Sequence, residues 1–315
     1  MSRPFAGLRV VLVASFNARY HRSGTALAAG LEALGCDVTR CEARDRGLAK
    51  LLGRTLDQRL GAAVARGADV VLAFRGERLD PALVAALRPL TRARWVNWFP
   101  DDPHEAALSD RLAPVYDAFF THDSASLARY RSGGVEAHYL AFGCDPGFLR
   151  PLAGGPAWHG PLVFVGSRDP LRERVLQDVA DLGLVVWGPR WPNGPVYGTN
   201  FVRALAGGTV GLNVHQQFGG DDPARYGSGA NMRVFELAAV GTPQLVDAKA
   251  DIPRHFAPDQ EIVLYRSVAE LRARASELLA NEPQRRSLST AARTRALREH
   301  TWTQRLEELL TITLR

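Results

Sequence analysis

The chain has 315 residues, of which 46% are hydrophobic and 23% charged, enough for two folded cores and too apolar for a disordered tail. The net charge of +6 is almost all arginine interleaved with acids, as in Glu270-Leu271-Arg272-Ala273-Arg274, with Lys50 and Lys249 the only lysines, and no nucleic-acid-binding signature accompanies it. The longest apolar runs, such as Val10 to Ala14, are strand-length, so no transmembrane segment and no nucleic-acid partner are expected.

After a start with no signal-peptide layout, the first half alternates strand and helix patterns. Strands are predicted at Leu8–Ser15, Asp37–Glu42, Ala68–Gly76, Arg94–Phe99, Tyr116–His122 and Ala137–Phe142, and a helix over Gly24–Leu34 closed by Gly35. Pro and Gly then interrupt the pattern in PGFLRPLAGGPAWHG, residues 146–160, which reads as a linker. The alternation resumes with strands at Leu162–Ser167, Leu184–Trp187, Val210–His215, Pro243–Asp247 and Glu261–Tyr265. A helix over Pro170–Leu182 carries Leu171, Val175, Val179 and Leu182 along one face, and Ser267 with Glu270 has capping-box spacing. The fold class expected is α/β, with two Rossmann-like doubly wound parallel-sheet domains, 1–150 and 151–315. Cys36, Cys41 and Cys144 form no C-x-x-C pair, so neither a disulfide framework nor a zinc site is expected, and the setting expected is cytoplasmic.

Ligands of open parallel sheets bind beyond the carboxyl ends of the strands. Asn17, Arg19 and His21; Arg75; Asp101 and Asp102; His122 and Asp123; Ser167; and Asn213 and His215 all fall at such ends, so two domains facing by these edges would enclose one cleft. No G-x-G-x-x-G follows the first strand, and no P-loop, H-E-x-x-H or G-x-S-x-G occurs. In FVGSRDPLRERV, residues 164–175, the strand ends at Gly166-Ser167, and Asp169-Pro170 opens a helix as N-cap and first residue. Small residues there let an anion approach the backbone, and Arg168 and Arg172 supply planar donors; a plain strand–helix turn with solvent-facing arginines has the same pattern. In GSGANMRVFELAAVGTPQLVD, residues 227–247, Ser228 and Gly229 lead into a helix capped by Asn231, whose start suits a phosphate. Arg233 belongs to the same donor-binding group. Glu236, further in, is placed to accept hydrogen bonds from vicinal ribose hydroxyls, or else simply faces water. Asn213 and His215 share one strand face, as ligand contacts or as a buried hydrogen-bonded pair. Gly188 and Trp191 end another strand, where an indole can stack on a base or pack. Asp102 and Asp123 have N-cap spacing, which leaves Asp101 as the first candidate base and His122 as the second. Arg19, His21 and Asn17 sit in the loop expected to meet the acceptor.

FVGS…R at 164–172, GLNVHQ at 211–216, NMRVFELAAVGTPQL at 231–245, EIVLY at 261–265 and EHTWTQRL at 299–306 resemble the C-terminal domain of CgeB-type, spore-maturation-protein-like glycosyltransferases. WFPDDP at 98–103, FFTHD at 119–123 and YLAFGCDP at 139–146 match the N-terminal half of that family in the same order. The resemblance implies a GT-B fold, an acceptor-side N-terminal domain, a C-terminal domain holding a nucleoside-diphosphate sugar, and Glu236 as the ribose-binding glutamate. Its last helix, around Thr301–Leu310, is expected to return to the N-terminal domain. One departure stands out: many retaining GT-B enzymes carry a glutamate eight residues before this one, where this chain has Ser228, with Asp221 and Asp222 nearby. The expected activity is a hexosyl-type glycosyltransferase using a UDP-sugar, with no metal and no cofactor required and an acceptor that is a glycan, a protein or a small molecule. The alternatives are a nucleotide-sugar epimerase or hydrolase of the same fold, or a non-catalytic binding or coat-assembly protein.

Overall fold

Short apolar segments separated by helices build two parallel sheets, and a computed structural model describes residues 3–17, 22–45, 55–152, 155–216 and 226–315 of them. The chain divides into two compact units, one of Met1–Ala141 with Trp302–Arg315 and the other of Phe142–Thr301. The division falls a few residues ahead of the 146–160 stretch, part of which coils into a 3-10 turn at Pro156–Trp158.

The first unit holds β1 (Arg9–Ala14), β2 (Asp37–Glu42), β3 (Val70–Phe74), β4 (Arg94–Phe99), β5 (Ala118–Thr121) and β6 (Ala137–Tyr139). They pair in parallel in the order β2-β1-β3-β4-β5-β6. The inner strands are nearly continuous apolar runs because helices cover both faces, whereas the edge strand β2, DVTRCE, is only partly buried. The helix Trp302–Thr313 belongs to this unit. Gly30 admits it: a Cβ there would lie 2.7 Å from Leu306 Cδ1. Trp302 then packs edge-on against Phe74 and Trp98.

The second unit holds β7 (Gly160–Val165), β8 (Leu184–Trp187), β9 (Gly208–Asn213), β10 (Gln244–Asp247) and β11 (Val263–Tyr265), all parallel in the order β11-β10-β9-β7-β8. Two local expectations are corrected. The helix that starts at Pro170 ends at Gln177, and a separate 3-10 turn, Ala180–Leu182, closes on left-handed Gly183, although Val175, Val179 and Leu182 still pack into the core. At Ser267 only half of a capping box forms: its hydroxyl accepts the Glu270 N–H, but the Glu270 carboxylate turns to the Arg266 N–H at 2.8 Å.

In each sheet the strand order reverses beside the first strand, between β1 and β3 and between β7 and β9. Helices leave in opposite directions there, opening a crevice above the carboxyl ends. No described helix is long and apolar enough to cross a membrane.

Candidate functional site

Two arginines span the reversal point of the second unit. Arg172, in the first turn of the Pro170–Gln177 helix, donates from Nε to the Val214 carbonyl beyond β9 at 2.9 Å. Its Nη1 donates to the carbonyl and hydroxyl of Ser167 beyond β7, at 3.2 and 3.0 Å. Arg233, in the first turn of the Met232–Val240 helix, donates from Nε to the Val165 carbonyl that ends β7, at 3.0 Å, and pairs with Glu236 one turn on. Burial lowers the Arg172 guanidinium from its ordinary range; Asp169 opposes that shift and the nearby charge of Arg233 adds to it. Among the described residues, Nη2 of neither arginine has a hydrogen-bond partner. Two planar cations, each braced through Nε and Nη1 with donors to spare, suit an anion with several oxygens.

Asn231 caps the Met232–Val240 helix: its side-chain oxygen accepts the Val234 N–H at 3.3 Å. The Asn213 and Asn231 amides bond each other reciprocally, both at 2.9 Å, and His215 lies between Asp247 and the Asn231 N–H. The sequence therefore names Asn213, His215, Asn231, Arg233 and Glu236 as a group, and the fold brings them together. It gives no role to Asp247; the one signal is a carboxylate ending an apolar strand beside β9.

Other expectations change. At the Pro170 helix start, Asp169 Oδ1 already accepts the N–H groups of Leu171 and Arg172, both at 3.0 Å, and Pro170 has none. The backbone there offers nothing to an anion, so the phosphate reading keeps the Arg172 side chain and loses the helix start. Arg168 pairs with Glu173 and its guanidinium lies 5.5 Å above the Trp191 ring. The Trp191 indole N–H donates to the Gly166 carbonyl at 3.0 Å. Gly188, with φ of 147°, passes so close that a Cβ would lie 1.9 Å from that same oxygen. Gly166, Gly188 and Trp191 thus hold one another in a packed turn. Ser228 is buried and bonds Asp251 at 2.8 Å, Gly229 is buried beside it, and Asp221 and Asp222 lie outside the described residues.

In the first unit, β3 is followed by Arg75 in a left-handed conformation, φ 67°, and then by Gly76 at 77°. The Arg75 N–H donates to the Trp98 carbonyl at 2.8 Å and its own carbonyl accepts from Asn97 Nδ2 at 3.2 Å, which over-determines an otherwise costly backbone. Its guanidinium Nη2 meets both Glu105 oxygens, at 2.8 and 2.9 Å, and Nε lies 3.2 Å from Asp101. Burial raises the Asp101 carboxyl above the ordinary carboxylate range, with Arg75 opposing.

Asp102 is not the helix cap that its spacing predicts. The helix begins at Ala106 after Glu105, and the Asp102 carboxylate is buried instead. It accepts from the Tyr130 hydroxyl at 2.6 Å, the Ser109 hydroxyl at 3.0 Å and Arg129 Nη2 at 2.9 Å, pinning the loop that presents Asp101. Asp123 does cap, accepting the Ser126 N–H at 3.0 Å, and His122 beside it is buried just past β5. Asn17 follows β1 in a partly buried loop; Arg19 and His21 lie outside the described residues.

Residues 168–311, which include Arg172, Asn213, Arg233 and Glu236, match the family model described as glycosyl transferase-like. No curated protein matches the sequence. Among solved structures the chain is similar to sucrose-phosphate synthase from Thermosynechococcus elongatus, at 12% identity and a TM-score of 0.68 over 97% of this chain and 98% of that one. It is similar to AviGT4, a glycosyltransferase involved in avilamycin A biosynthesis, at 18% identity and 0.65 over 98% and 97%. It is also similar to Anabaena HepE in complex with UDP and glucose, at 11% and 0.64 over 96% and 99%. At such identities the likeness is one of fold. That fold is the two-domain GT-B architecture of glycosyltransferases. The glycosyl transferase-like match covers most of the second unit.

Proposed function

We propose that the chain transfers a hexose from a UDP-sugar to an acceptor, that its finer kinship is with the CgeB-type glycosyltransferases, and that its second unit holds the donor. The observation that carries this reading is the pair Arg172 and Arg233 across the β7/β9 reversal point, with Glu236 one turn along the same helix as Arg233. Arg172 and Arg233 stabilise the negative charge that develops on the diphosphate as the sugar leaves, and Glu236 accepts from the ribose hydroxyls. Arg168, committed to Glu173, takes an outer part at most. UDP as the nucleotude is supported by the HepE complexes with UDP and glucose and with UDP-glucose. In the first unit Asp101 is the base that takes the acceptor proton, His122 being the second choice, and the transfer then inverts the anomeric centre. The reaction runs in the cytoplasm, a compartment suited to three buried cysteines outside any disulfide.

The test begins with UDP, GDP, dTDP and CDP, whose binding should favour UDP, and continues with UDP against 2′-deoxy-UDP. Wild type should prefer the ribose form. Glu236→Gln should bind UDP about ten-fold more weakly, since one hydrogen bond to a carboxylate is worth on the order of 1.5 kcal/mol. Because that substitution also breaks the pair with Arg233, the decisive reading is the ratio of the two nucleotides. Equal discrimination by both proteins would remove Glu236 from the ribose.

A further inference from the structure

His215 lies one residue beyond Val214, whose carbonyl Arg172 holds, and only 7% of its surface is exposed. Its Nδ1 is 2.7 Å from Asp247 Oδ1, an oxygen that also accepts the His215 backbone N–H at 2.8 Å. Its Nε2 faces the backbone N–H of Asn231 at 3.1 Å. That N–H can only donate, so Nε2 must accept and the ring proton must sit on Nδ1, pointing at Asp247. Asp247 is itself buried; burial works to raise its carboxyl, but His215 and Lys249 outweigh this and hold it below the usual range. Beside the ring's bond, Asn231 is gripped by the reciprocal amide pair with Asn213, whose carbonyl accepts from the Tyr265 hydroxyl at 3.0 Å.

The geometry points to His215 as a positioning residue: relayed from Asp247, its Nε2 fixes the cap of the helix that carries Arg233 and Glu236, without itself touching the donor. This rests on the donor reading given above. The relay joins the ends of β9 and β10 to the first turn of the Met232–Val240 helix. A shift of that cap would move Arg233 away from the Val165 carbonyl and Glu236 with it, so the register of the two donor-facing side chains is set from behind. The charged and titratable groups around the pair are Asp247, Lys249, Tyr265 and Arg172.

Two substitutions separate the ring's two bonds. In His215→Gln the side-chain oxygen lies as many bonds from Cβ as Nε2 does, so it can keep the Asn231 bond and lose the Asp247 one. His215→Asn reaches only as far as Nδ1 and does the reverse. UDP affinity measured by calorimetry should fall about ten-fold in His215→Asn, and His215→Gln should recover most of that loss. Amide exchange at Asn231, read by NMR without ligand, should be fast in His215→Asn and protected in wild type and His215→Gln. Equal exchange and equal affinity in the two variants would overturn the proposal. Should wild type bind no nucleotide at all, the donor reading fails by itself, and the exchange pattern still decides whether His215 fixes the cap.

Discussion

Replacing Asp101 with Asn should lower sugar transfer by about 10²–10⁴-fold, the range for removing a general base, while UDP affinity stays close to that of wild type. The amide keeps the size of the side chain and the loop anchored through Asp102, Tyr130 and Ser109, so loss of fold is not the expected cause. The pH dependence carries a sign. A base works only when deprotonated, and burial raises Asp101 against the pull of Arg75. Transfer should therefore be lost as pH falls through a range above that of ordinary carboxylates, and recover above it. Arg75→Gln removes the opposing charge and should move that loss to still higher pH. Transfer assays of wild type and Arg75→Gln across pH check this, and undiminished turnover of Asp101→Asn would hand the role to His122 or remove the need for a base.

The second large effect is expected at Arg172, where binding and folding are joined. Arg172→Ala deprives the Val214 carbonyl and Ser167 of charged donors in a place where the side chain is only 11% exposed. A hydrogen bond to a charged group is worth roughly 1.5–3 kcal/mol, so unfolding stability should drop by about that amount, seen as a lower denaturant midpoint. Nucleotide affinity should drop about ten- to a hundred-fold in the protein that remains folded. Arg272→Ala is the control, because Arg272 pairs with Asp181 on the exposed surface. Equal loss of nucleotide binding at both positions would mean general attraction to positive charge.

The inner strands were legible because a parallel strand covered on both faces is a plain apolar run, and β4, like the edge strands β2 and β8, has the limits that the pattern predicts. Helix ends were less so. Asp102 has the spacing of a cap, yet a tyrosine, a serine and an arginine from distant positions claim its carboxylate, and no local pattern records them. The site shows the same limit. Asn231, Arg233 and Glu236 lie within one turn or two of each other and are visible as a motif, whereas Arg172 meets Val214 across 42 positions and His215 meets Asp247 across 32. Sequence pattern put His215 at a strand end and Arg172 just inside a helix; only the strand order puts Arg172 beside Val214 and His215 beside Asp247. It also could not show that Asp169 occupies its own helix start, because a good cap and an open anion site begin with the same residues.

The order of segments along the chain bears on how the protein is made. Residues 142–301 are continuous, while the first unit waits for Trp302–Arg315. During synthesis from the ribosome the second unit can finish folding while the first still lacks the helix that covers Gly30, Phe74 and Trp98. Until residues 302–315 emerge, that apolar surface of the nascent chain stays open to water and to chaperones. A chain interrupted before Trp302 would thus keep the second unit and leave the first uncapped, prone to capture or aggregation, so residues 302–315 act as a late check on the folding of the first unit.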